Sequence, residues 1–245
     1  MRHPSRDQSI LVAFLLMFLS LSGCGWFRGP APEAEVAIEG IPPSSMEEAL
    51  EAHYAGLGHM ERYEYADAAA RFREVRRLAP DWQPGKINLA IALLNQTGEQ
   101  IAESEESSDA VTGEAGLSRF DEAIALLDEV LAEDPGNLNA HYCKGIILEQ
   151  TGQWKQAHRE FSAVVEGDPN DPHALYWATV TMPDSSGQER AALFESEKLV
   201  EPLERALAIN PYLVPAIYNL SRAYIRLGRR EDYNRLTEQF DRLNP

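Results

Sequence analysis

Five prolines, Pro80, Pro135, Pro169, Pro211 and Pro245, follow one another at gaps of 55, 34, 42 and 34 residues. The first gap is the shortest plus 21 residues and the third is the shortest plus 8. A fixed period of 34 marks a stack of like helical hairpins, each covering the apolar face of its neighbour, rather than one closed core.

Residues 138–171 carry the period without insertion and serve as the template. Ala140-His141-Tyr142-Cys143-Lys144-Gly145 lie in a first helix that runs to Glu149; Thr151-Gly152 make the turn, and Trp154 to Val165 make the second helix. Gly145 and Ala157 are the small residues expected where the two helices cross, because backbones approach closely only where no bulky side chain intervenes. Phe161 and Val164 share the stripe that meets the next hairpin. Asp168-Pro169 ends the unit, since proline lacks the amide that would continue the helix. Setting the prolines in register aligns Gly56, Ala68, Phe72 and Val75 in the first unit and Asn88-Leu89-Ala90, Ala123, Leu127 and Val130 in the second. The fifth has Asn219-Leu220-Ser221, Tyr224 and Gly228, while Leu199 and Tyr233 stand in the alanine place of the fourth and fifth. Asp171-Pro172 reads as an N-cap followed by a first-turn proline, and Pro84 and Pro215 fall in equivalent first turns.

This run of small, small, aromatic, apolar and proline positions resembles the tetratricopeptide repeat over residues 47–245. The resemblance implies an all-α fold, an α-α superhelix (solenoid) of about five helical hairpins. The units fall at about 49–82, 83–137 with an acidic insertion at 96–117, 138–171, 172–213 with a short insertion near Pro183 to Gln188, and 214–245. It also implies a protein-interaction scaffold that holds a peptide or partner helix in a concave groove lined by the first helices.

The groove positions in register are His53, Ile87, Tyr142, Tyr176 and Tyr218, followed one turn later by Leu57, Ile91, Ile146, Val180 and Arg222. Some members of the family clamp a terminal carboxylate with Lys, Asn and Arg. Asn88 and Asn219 match that pattern, but the lysines do not, so an aromatic and apolar groove is expected instead. Its candidate residues are His53, Asn88, Tyr142, Tyr176, Tyr218, Asn219 and Arg222. The alternative is that the tyrosines pack between the first helices of adjacent units.

The front of the chain reads differently. Arg2 and Arg6 precede an apolar run from Ile10 to Leu21, too short for a stable membrane span but suited to a signal peptide over residues 1–23. Leu21-Ser22-Gly23-Cys24 resembles the bacterial lipobox, which implies lipidation of Cys24 as the first mature residue. Two or three acyl chains hold a protein firmly, so no basic patch is needed. Removing residues 1–23 takes the formal charge from −17 to −18, and so acidic a chain repels anionic headgroups and nucleic acid alike. Gly25, rather than aspartate, follows the cysteine, which points to the outer membrane facing the periplasm. Residues 24–46, with Pro30, Pro32, Pro42 and Pro43, read as a tether.

Residue types that carry chemistry are scattered. The histidines form no pair at metal-ligand spacing, no glycine-rich phosphate loop occurs, and no metal, cofactor or enzyme activity is expected. With Cys24 lipidated, Cys143 stands alone and is expected to pack as a small hydrophobe. The segment Glu99 to Glu114 holds six acids and no Lys or Arg, and is expected to be a solvated loop whose first part prolongs the preceding helix. Residues Tyr212 to Pro245 carry six arginines against four acids in this otherwise acidic chain, a contact face for an acidic partner or merely solvated helix faces. Two other readings stay open: a helical interaction region of a larger secreted multi-domain protein, and an accessory subunit of a cell-envelope enzyme.

Overall fold

A computed structural model describes residues 43–103, 114–183 and 197–243. The signal peptide, Cys24, the tether up to residue 42, the middle of the acidic insertion and most of the short insertion lie outside the described residues. The helices are α1 (Pro43–Glu61), α2 (Tyr65–Leu78), α3 (Gln83–Glu103), α4 (Glu114–Glu133), α5 (Leu138–Gln150), α6 (Trp154–Gly167), α7 (Pro172–Val180), α8 (Val200–Ile209), α9 (Val214–Arg226) and α10 (Arg230–Leu243). A 3₁₀ turn, Glu197–Leu199, leads into α8. The chain divides into two compact units, one ending at Glu133 and one beginning at Asp134. Within each, a helix packs mainly on its neighbours in sequence.

Two boundaries differ from the sequence reading. The last residues of the expected tether, 43–46, are helical: Pro43 opens α1, at a position whose missing amide costs nothing. The insertion of the second unit ends earlier than residue 117, since the next helix, α4, begins at Glu114, while α3 runs on to Glu103 in line with the expected prolongation. Thr97, inside that insertion, is buried; it donates to the Leu93 carbonyl at 3.0 Å and accepts from Arg119 Nε at 3.1 Å. The prolongation of α3 is thereby fastened to α4.

The caps follow from the sequence. Asn137 accepts from the Ala140 amide at 3.0 Å at the start of α5. Asp171 accepts from the His173 and Ala174 amides at 2.8 and 3.0 Å, ahead of Pro172. These bonds satisfy amides that a helix start leaves orphaned. At the turn inside the hairpin, Gly152 lies at φ +74° and Gly228 at φ +70°. Their successors, Gln153 and Arg229, donate back to the Leu148 and Tyr224 carbonyls at 2.7 and 2.8 Å, the six-to-one bond of a left-handed helix stop. Tyr63 takes the same place in the first hairpin at φ 62°, with Glu64 bonded to the His59 carbonyl at 2.9 Å.

In two hairpins the first-helix glycine packs directly on a ring of the second helix. A Cβ on Gly145 would lie 2.8 Å from Phe161, and one on Gly56 would lie 2.6 Å from Phe72. Phe72 and Phe161 are fully buried. The corresponding pairs are Ala90 with Leu127 and Thr179 with Leu203, all buried. A larger first-helix residue thus goes with a smaller second-helix residue, as close packing demands.

Gly145→Ala therefore reverses its usual sign. Alanine inside a helix ordinarily gains up to about 1 kcal/mol over glycine. Here the added methyl meets the ring, and a net loss of about 1–2 kcal/mol is expected. Phe161→Leu in the same chain should recover part of the Gly145→Ala penalty. Thermal and denaturant unfolding of the two single variants and the double variant measure this; a more stable Gly145→Ala chain would place the crossing elsewhere.

Candidate functional site

In the unit beginning at Asp134, the groove-register tyrosines are joined to the core by a line of rings. Tyr142 meets Phe161 edge-on at 5.7 Å, Phe161 stacks on Trp177 at 5.7 Å and 15°, and Trp177 meets Tyr176 edge-on at 5.1 Å. Such pairs add about 0.5–1.5 kcal/mol beyond the area they bury. The Tyr176 hydroxyl then accepts from Asn219 Nδ2 at 3.1 Å, tying α7 to α9. Tyr176 and Asn219 are each only 6% exposed, so they present little surface to a ligand. Tyr142 is half-buried. Tyr218 is 36% exposed, and the Arg222 guanidinium lies 5.6 Å from its ring centre. Ile225, one further turn along, is 61% exposed, an apolar residue on the same stripe that the repeat register did not single out.

In the unit ending at Glu133, His53 is half-buried against Trp82 at 4.7 Å, with Phe72 at 5.9 Å and Tyr54 at 5.8 Å. Its Nδ1 is buried without a hydrogen-bond partner among the described residues, and burial lowers its pKa below the ordinary 6.5. Asn88 is half-buried on α3. Lys86, which the sequence reading passed over, is 4% exposed and donates to Glu133 at 2.9 Å with Glu129 at 3.5 Å. Its hydrogen bond holds the Glu133 carboxyl below the usual range. Arg73–Glu122 at 2.7 Å and Arg76–Glu129 at 3.0 Å join α2 to α4 as well.

Several polar groups among the described residues pair with one another. His59, Glu64 and Asp67 lie within 4.8 Å, the spacing of metal ligands. Arg62, however, donates to Glu64 at 3.0 Å and lies 3.1 Å from His59 Nδ1, so a guanidinium already engages two of the three groups. An open cleft between α8, α9 and α10 is lined by Leu207, Leu220, Tyr224 and Leu236. The Tyr224 hydroxyl donates to Glu204 at 2.5 Å, and burial first, then this bond, pushes the phenol pKa up. Arg229 caps the Tyr224 ring at 4.9 Å and pairs with Asp232 at 2.6 Å. Burial pushes the Cys143 thiol up to about 12, which suits a packing residue and not a nucleophile.

These features define a helical-hairpin repeat whose distinctive residues are surfaces and packing contacts. Residues 115–178 match the family model of the tetratricopeptide repeat, a stretch from α4 to α7. No curated protein matches the sequence. Among solved structures, MamA 41-end from Desulfovibrio magneticus RS-1 is similar at 21% identity and TM-score 0.55, covering 80% of this chain and 93% of that one. A MamA double mutant from RS-1 is similar at 20% identity and TM-score 0.56, covering 80% and 92%. A further crystal structure of MamA gives 14% identity and TM-score 0.57, covering 77% and 96%. At these identities the likeness concerns the fold, which is the all-α solenoid of tetratricopeptide type.

Two outcomes test the packing around the register positions. Tyr176→Phe leaves the buried Asn219 amide without its acceptor and should cost about 1–3 kcal/mol in denaturant unfolding. Asn219→Ala should then cost much less in the Tyr176→Phe chain than in the native one. For His53, the folded pKa lies below the unfolded value, so the unfolded chain binds the proton first as pH falls. Its contribution is whole above pH 6.5 and is lost below it, as is that of His173, also lowered mainly by burial. Unfolding free energy should fall as pH drops below about 6.5, and His53→Gln should flatten part of that slope.

Proposed function

We propose that this chain is a protein-interaction module, tethered to a bacterial envelope membrane through lipid on Cys24, that holds a peptide or partner helix along the first helices of its hairpins. The observation that carries the binding reading is the Tyr176–Asn219 hydrogen bond. It joins groove-register residues of adjacent first helices, which supports reading Tyr218 and Arg222, on the same helix as Asn219, as part of one surface. Tyrosine and arginine suit such a surface: each offers a broad face, and tyrosine adds a hydroxyl at low entropic cost. Tyr176 and Asn219 act as the support, and Tyr142, Tyr218 and Arg222 as the parts a ligand touches.

The tether rests on Leu21-Ser22-Gly23-Cys24 and on the apolar run before it. Among the described residues no helix is long and apolar enough to cross a membrane. Outer-membrane attachment facing the periplasm, and a part in envelope assembly, complete the reading. No nucleic acid and no cofactor enter it.

The test is crosslinking and pull-down from membranes with the full chain. A chain carrying Tyr142→Ala and Tyr218→Ala should keep its helical content and lose its captured partner. Retained capture by a folded variant would place binding elsewhere. Separately, Cys24→Ser should leave an uncleaved precursor or a soluble protein; a processed species wholly in washed membranes would refute the lipid anchor.

A further inference from the structure

The turn between α1 and α2 gathers three metal-ligating side chains. His59, in the last turn of α1, Glu64, just ahead of α2, and Asp67, in its first turn, bring an imidazole nitrogen and two carboxylate oxygens within 4.8 Å of one another. The left-handed backbone of Tyr63, at φ 62°, and the Glu64 amide bonded to the His59 carbonyl at 2.9 Å fold the chain back so that the two helix ends meet. No histidine pair marks this set in the sequence, because its other ligands are carboxylates brought in across the turn. Hydrogen bonding inside the cluster is frustrated. Arg62, and then His59, hold the Glu64 carboxyl below the usual range, so it is an acceptor only. His59 Nδ1 lies 2.6 Å from Glu64 Oε2 and 3.1 Å from Arg62 Nη2, which only donates. A protonated Nδ1 suits the carboxylate but faces the guanidinium donor; an unprotonated one suits Arg62 but faces the carboxylate lone pairs. Neither form satisfies both contacts. Arg62 Nη2 also lies 2.9 Å from Glu64 Oε2, so a cationic donor stands beside both ligand atoms, where a positive ion would resolve the conflict.

We propose that His59, Glu64 and Asp67 bind a divalent transition-metal ion of the zinc class, with Arg62 swinging out as the ion enters. Zinc with nitrogen and oxygen ligands at about 2.0–2.2 Å sets tetrahedral ligand atoms about 3.3–3.6 Å apart. The atoms here, 2.6 Å apart for one pair and all within 4.8 Å, bracket that spacing, so side-chain rotations at the turn suffice. An imidazole nitrogen favours zinc over calcium or magnesium, which take oxygen ligands throughout. Charge points the same way. Arg62 offsets only one of the two carboxylates, whereas a divalent ion offsets both. The Arg62 side chain is 56% exposed, so its departure into water costs little. Three protein ligands leave a fourth position open to water or to a partner's side chain. Because the ligands come from both sides of the turn, the ion joins the ends of one hairpin and binds only the folded form. None of the three is a groove-register residue, so the site does not depend on the partner-binding reading.

Titration calorimetry of the full chain, stripped with chelator and held in detergent solution, tests the site with zinc chloride. The native chain should bind zinc, and its Tm should rise as zinc is added. Calcium and magnesium at the same concentrations should do neither. Asp67→Asn and His59→Gln should each weaken zinc binding about tenfold or more, at least the loss that follows removal of an outer-shell partner. Arg62→Gln should tighten it about tenfold, since it removes a positive charge that competes with the ion. That gain separates a built site from chelation by the other histidines, which Arg62 does not touch. Circular dichroism without metal shows whether each variant is folded; should His59→Gln unfold, Asp67→Asn and Arg62→Gln decide. The proposal is overturned by a native chain that binds no zinc, by equal uptake of calcium, by ligand variants that bind as the native chain does, or by binding that Arg62→Gln fails to tighten.

Discussion

A hairpin of this kind closes only as tightly as its two helices can cross, and here that distance is set by what faces the ring of the second helix. Phe72 and Phe161 fill the space that a side chain on Gly56 or Gly145 would need. Where the second helix offers Leu127 or Leu203, the first can afford Ala90 or Thr179. Other contacts inherit this spacing. Phe161, pressed onto Gly145, also receives Tyr142 and stacks on Trp177, and Trp177 in turn fixes Tyr176. A crossing inside one hairpin thus decides where a neighbouring hairpin presents its groove-register residues.

The hairpin plan was legible because its signals are local. A capping aspartate before proline, a glycine in a left-handed turn and a proline after a helix each act within a few residues, so Asp171-Pro172 and Thr151-Gly152 could be read directly. Tyr63 shows the limit: it adopts the backbone of Gly152 and Gly228 with a side chain that rarely takes it. The hairpin's packing and its six-to-one bond impose that conformation, and no local rule marks it. The glycine–ring pairing was half visible: Phe161 meets the next hairpin at Trp177 as its stripe implies, and it also fills the space over Gly145, which no local signal marks.

The candidate site was legible as positions, not as roles. Equal register of Tyr142, Tyr176 and Tyr218 says that they recur on like faces; it does not say how far each is covered. Coverage depends on the next hairpin: Asn219 reaches Tyr176, while Arg222 beside Tyr218 leaves that ring more open. His53 belongs to the same register, yet Trp82, from the loop after α2, lies across it. Lys86 escaped notice because a lysine in a first turn looks solvated until Glu129 and Glu133 are placed beside it. These are consequences of long-range neighbours, which single-sequence periodicity does not encode.

The two glycine–phenylalanine crossings join residues sixteen apart in the chain. Loops of that length close in well under a microsecond, and helices form on a similar timescale. A hairpin can therefore find its decisive contact before any distant segment arrives, and helices that pack on sequence neighbours keep the mean separation of contacts short. Such a chain can close each hairpin as it appears, in the order of synthesis, without waiting for its far end.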